Sequence, residues 1–242
     1  MARSRENGSF DLAAAVTRSL LGWGVVAGIF YLLVGATHGL LRDGFSFADH
    51  VLSLLMLGDF GWIQATNLIL TGLMVVAAAI GFGRAMKPGK GAKVVGTLLT
   101  LYGLALVGSG IFPPDAVDGF PDPSSTAQAT TRGILHLAFG GMGFIALGTA
   151  AFFAARWHEA RGDLSGARRS RLCAAVVLLG FLGGASLAAN TAGIALIWVA
   201  VVTGWVWLAI TARRLYHTVP HPDLHRRKAA VVGGPKSARH TS

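Results

Sequence analysis

The chain has 242 residues, 53% hydrophobic and 13% charged, with a mean hydropathy of +0.57 and a formal net charge of +10. A soluble domain carries about 25% charged residues, so this composition excludes an ordinary water-soluble globule. The single cysteine, Cys173, excludes an intrachain disulfide framework, and the positive charge does not read as nucleic-acid binding, because it falls in short clusters between long apolar runs.

Residues 1–18, "MARSRENGSFDLAAAVTR", form a polar, basic segment whose apolar stretch is too short for the core of a cleaved signal peptide. Six apolar runs follow, at 19–41, 62–83, 94–112, 133–155, 172–190 and 194–212. Each meets or approaches the roughly 20 residues that a helix needs to cross a bilayer core. Unpaired backbone groups are costly in lipid, so the runs are expected to be helices. The last two are separated by so few residues that they predict an antiparallel hairpin. The fold class expected is therefore all-α, a polytopic bundle of six transmembrane helices over 19–212. A basic tail over 213–242, rich in Pro and Gly, is expected to be disordered near anionic headgroups.

Lys and Arg set the expected orientation. All of the 21 except Arg42 and Arg132 fall in the N-terminal segment, the second and fourth connections, or the tail. That asymmetry predicts both termini on the cytoplasmic side of the cell membrane. The first, third and fifth connections then face outward. The first carries "HVLSLLMLGDFGWIQATN", an unusual concentration of polar groups for so apolar a chain. It predicts a short interfacial helix over 47–57, broken by Gly58, with Trp62 starting the second span at headgroup depth.

Side chains three and four apart share a helix face. Gly24, Gly28, Tyr31, Gly35 and His38 fall on one face of the first span, and Asn67, Thr71, Met74, Ala78 and Gly81 on one face of the second. Gly96, Thr100, Gly103, Val107 and Gly110 do so in the third, and His136, Gly140 and Gly143 in the fourth. Stripes of small residues let membrane helices approach closely, and ionisable groups at the head of a stripe are expected to face the bundle interior. The expected site is an outward polar pocket lined by His38, Asp59, Asn67 and Asp118. His50, Ser53, Asp115 and His136 are its candidates for chemistry.

At these residues the chain resembles a family of multi-pass membrane proteins called domain of unknown function 998. The resemblance rests on "HVLSLLMLGDFGWIQATN", then "GIFPPDAVDGFP", then "GILHLAFGG", and covers about 19–155. Ser53, Gly58 and Asn67 match a serine, glycine and asparagine signature, and Asp115 and His136 match later polar positions. Many members place an acid directly after the serine, whereas here Asp59 follows the glycine. The resemblance implies a multi-pass helical bundle and no particular activity.

Two functions remain open at this point. One is binding or handling of a lipid or small ligand in the outer pocket. The other is a metal-dependent hydrolase or transferase acting on outer-leaflet lipid, with His38, His136 and Asp115 as candidate Zn²⁺ ligands. Compact metal-binding spacing is lacking. Ser53 with His50, at i and i+3, offers a nucleophile and base only if that segment is helical. His38 and His136 as axial haem ligands is a third arrangement. The partners expected are membrane lipids.

Overall fold

Asp11, well ahead of the first apolar run, starts the first helix by accepting the Ala14 N–H at 2.9 Å. In the computed structural model, which describes residues 10–86, 90–188 and 190–223, α1 spans Leu12–Leu41. It is followed by α2 (Gly61–Ala85), α3 (Lys90–Ile111), α4 (Thr131–Glu159), α5 (Leu164–Ser186) and α6 (Thr191–Thr218). All six are long and apolar enough to cross a membrane. No β-strand occurs among the described residues. Helix therefore extends into both end segments, from Leu12 and on to Thr218. The rest of those segments, residues 1–9 and 224–242, lies outside the described residues.

The largest departure from the expected spans is α5, which begins at Leu164 instead of 172 and ends at Ser186 instead of 190. Hydropathy overlooks its first turns because they carry Arg168, Arg169 and Arg171. They are helical because Asp163 caps them, accepting the Gly166 N–H at 2.8 Å. That bond, then Ser165, His158 and Arg214, hold the Asp163 carboxyl down to about 2, below its ordinary 3.8. A depressed acid stabilises the fold above its unfolded value and loses that contribution as pH falls through its folded value. Asp163→Asn should therefore lower the melting temperature at pH 7, and the gap to wild type should close between pH 4 and pH 2. A gap of constant size over that range would contradict the assignment.

The helices form a ring in chain order, each packed on its sequence neighbours, with α6 closing on α1. Where α2 meets α3 the backbones touch: a Cβ on Gly72 would lie 2.5 Å from the Gly103 oxygen, and one on Gly103 would lie 2.7 Å from the Gly72 oxygen. The glycine stripe of α3 is thus a packing seam against α2, whose own stripe turns instead to α1, where Gly81 meets the Leu21 backbone. Gly140 of α4, by contrast, has open space beside it and belongs to no seam. The centre of the ring is filled by Trp205 of α6, whose ring lies 5.4 Å from Tyr31 of α1 and 5.7 Å from Tyr102 of α3.

The start of α1 and the segment after α6 lie at one end of the bundle. The Asp11 N–H donates to the Pro222 carbonyl at 3.0 Å, and Arg18 donates to Val219 at 2.8 Å while lying 3.9 Å over the Tyr216 ring. The other end, termed the loop end below, is covered by the α1–α2 connection. Its helix is shorter than 47–57: a single 3-10 turn over Leu52–Met56, with Leu52, Leu54 and Leu55 buried against α1 and α2. Leu52 fits over Gly35, and Phe45 and Phe47 pack over Gly39. Those anchors hold 45–51 out of helix, and Gly58 ends the turn with φ +81.

Candidate functional site

Beneath that connection, α2 carries a ladder of buried polar groups. Asn67 Nδ2 donates to the Tyr31 carbonyl of α1 and to Gln64 Oε1, each at 3.1 Å, and the Thr71 hydroxyl donates to Asn67 Oδ1 at 3.3 Å. Gln64 and Asn67 are 0% and 1% exposed, so both were carried fully into the bundle. Asn67 thus sits where its helix stripe predicts, as an α1–α2 cross-link. Interhelical hydrogen bonds of this kind contribute about 0.6 kcal/mol on average in membranes.

His38 lies in the last turn of α1, buried, with Arg42 just beyond it as the helix C-cap. The Arg42 guanidinium is partly buried: it packs against Gly58, 2.5 Å from where a Cβ would be, and lies 5.7 Å from the Phe120 ring centre. Phe120 comes from the α3–α4 connection and is fully buried, in contact with Phe45 and His50 of the first connection. Phe47 reaches the other way, to Trp198 of α6 at 5.9 Å.

Buried polar side chains nearly always find a partner. Among the described residues four buried side-chain nitrogens have none: His38 Nδ1, Arg42 Nε, Gln64 Nε2 and Trp198 Nε1. All four lie at the loop end, on α1, its cap, α2 and α6 around one connection. Three of them can only donate. An unmet buried donor costs about 1–3 kcal/mol, so these nitrogens mark the loop end as unlike the rest of the described residues.

The acids at this end are committed elsewhere or stand apart, the expected Asp59, Asp115 and Asp118 among them. Asp49 accepts from the Ser46 hydroxyl at 2.8 Å and the Thr191 hydroxyl at 3.0 Å, which ties the first connection to α6 and holds its carboxyl below the ordinary range. Asp118 accepts the Ala127 N–H at 2.9 Å within its own loop, and Asp59 is exposed without a hydrogen bond among the described residues. Asp115 sits over the start of α4. It accepts the Thr130 N–H at 3.1 Å and the Thr130 hydroxyl at 2.6 Å, and its carboxylate fills the space beside Gly133. A carboxylate there complements the helix dipole. None of these acids pairs with Arg42.

His136 is turned toward the end of α3, with Nδ1 3.0 Å from the Ser109 carbonyl and 2.8 Å from the Phe112 carbonyl. Two carbonyls can only accept, so Nδ1 carries the proton and the ring clamps α3 to α4. His50 Nδ1 accepts the Ser46 N–H at 3.0 Å, which leaves the proton of the neutral ring on Nε2. Burial beside Phe45 and Phe120 pushes its pKa below the ordinary histidine value.

The His50–Ser53 pairing does not form, because 47–51 is not helical and His50 is turned back onto Ser46. His38 and His136 stand on α1 and α4, which are not neighbours in the ring, and His136 Nδ1 is taken up by the end of α3. No three His, Cys, Asp or Glu side chains converge as a metal site among the described residues. The residues that sequence reasoning passed over are Arg42, Gln64 and Trp198. Gln64 had a signal in its i, i+3 spacing from Asn67, and Arg42 in being one of two cations on the expected outer side.

A closed ring of six membrane-length helices, capped at one end by an inserted loop over buried polar groups, defines a polytopic α-helical membrane protein. Residues 25–214 match the family described as protein of unknown function (DUF998), and the chain belongs to it. The match runs beyond the stretch where the resemblance was legible, through the α5–α6 hairpin. No curated protein and no solved structure matches the chain.

Proposed function

We propose that the loop end binds the oxygen-rich, anionic head of a membrane lipid or small ligand, and that this end faces outward from the cell membrane. One observation carries the reading: a partly buried Arg42 without a carboxylate partner among the described residues, at the same end of the bundle as three further unmet buried nitrogens. Phosphate and carboxylate oxygens are acceptors only, and guanidinium is their geometric complement. The outward orientation rests on the distribution of Lys and Arg.

Native mass spectrometry of protein extracted in mild detergent tests the binding. Wild type should retain a ligand adduct, and Gln64→Leu should lose most of it. Equal adducts in both, or none in wild type, would contradict the reading. Sidedness has its own test in a Cys173→Ala background. Ser124→Cys, in the α3–α4 connection, should react with a membrane-impermeant maleimide in intact cells, and Thr218→Cys only after permeabilisation. The reverse pattern would invert the topology.

A further inference from the structure

A second candidate site lies at the opposite end, between α4, α5 and α6. Here a groove of about 150 Å³ runs between the first turns of α5 and the last turns of α6. Its walls are Leu172, Cys173, Val206 and Ile210, and its rim carries Arg169 and Arg214. Leu172, Val206 and Ile210 are 65%, 50% and 42% exposed, so the groove opens sideways, toward the surface that membrane-spanning helices turn to lipid. Beneath it Ser170, 2% exposed, accepts from Trp207 Nε1 at 2.9 Å and ties α5 to α6.

The groove's length and charge identify an occupant. From Thr203 to Arg214 it follows α6 for about 16 Å at 1.5 Å per residue. That is close to half of a bilayer core of about 30 Å, the depth of one leaflet. At the membrane end the walls are apolar, and at the water end stand two guanidinium groups. Asp163 offsets Arg214 only in part, at 3.5 Å, because the same oxygen holds His158 at 2.9 Å. Arg169 forms no ion pair among the described residues. A free anion would have no use for the apolar walls, and an uncharged lipid none for the rim.

We propose that this groove binds an anionic phospholipid, with an acyl chain between α5 and α6 and its phosphate between Arg169 and Arg214. The site is separate from the loop end and does not depend on it. Delipidated full-length protein in a non-ionic detergent is titrated with phosphatidylglycerol, phosphatidylcholine or glycerol phosphate, and the melting temperature is read. Phosphatidylglycerol should raise it saturably, and the other two should not. Arg169→Gln, which breaks no ion pair, should weaken the apparent affinity about tenfold, the scale of one charge-assisted hydrogen bond. Arg214→Gln should act in the same direction, while Arg213→Gln, exposed and off the groove, should leave the response intact. An equal response to phosphatidylcholine, a response to glycerol phosphate alone, or no response to any of them would overturn the proposal. So would a phosphatidylglycerol response that survives both arginine variants, or one lost in Arg42→Ala instead, which would place the lipid at the loop end.

Discussion

Gly72→Ala should force α2 and α3 apart and destabilise the protein by about 3 kcal/mol. The added methyl would stand 2.5 Å from the Gly103 carbonyl oxygen, 2.8 Å from Val107 Cγ2 and 3.0 Å from the Val107 nitrogen. Two of those atoms are backbone, and no rotamer change can move them aside. In lipid there is little hydrophobic drive to hold helices together, so the close approach itself supplies the cohesion. For a chain of this length the loss corresponds to a fall in melting temperature of about 6–12 °C. Gly83→Ala, on the same helix, is the matched control: nothing lies within 4 Å of the added atom. It should be neutral or raise stability by up to about 1 kcal/mol through helix propensity. Equal effects of the two substitutions in one detergent would show that the seam does not govern stability.

The second large effect is on binding. Arg42→Ala removes the one guanidinium among the four unmet side chains of the described residues and should weaken ligand retention by about tenfold to a hundredfold, the range for a hydrogen bond to a charged group. Because Arg42 forms no ion pair or hydrogen bond with the described residues, fold stability should change little after the ligand has been stripped. Arg42→Lys separates charge from shape. Lysine restores the charge without the planar fork, so it should recover part of the affinity. Retention measured by native mass spectrometry, set against melting of the stripped protein, gives both readouts on one sample. A stripped Arg42→Ala protein that melts well below stripped wild type, with retention unaltered, would mean that Arg42 serves the fold.

Much of the architecture is legible in the sequence because its spans are long, apolar and flanked by basic clusters. The helix ends are less so. Asp11 and Asp163 start α1 and α5 among charged residues that hydropathy counts against a span, though a capped helix tolerates them outside lipid. The first connection misleads for a different reason. Its apolar residues fit a surface helix, yet Phe45, Phe47 and Leu52 have glycine sockets on α1 that draw the segment inward.

The polar residues divide along the same line. His38 and Asn67 are readable because helix periodicity fixes their faces. His50, Asp115 and His136 share a level in the sequence reading, but each is engaged locally, by Ser46, by Thr130 and by the end of α3. Arg42, Gln64 and Trp198 stand out only through the partners they lack, and that is a property of packing which spacing does not encode.

The most direct test is an experimental map of the protein purified with its native lipid, at a resolution that shows ordered water. An oxygen-bearing ligand should lie within about 3.2 Å of Arg42 Nε and of at least one of Gln64 Nε2, Trp198 Nε1 and His38 Nδ1. Density showing those nitrogens bonded to protein groups or to water alone would contradict the account.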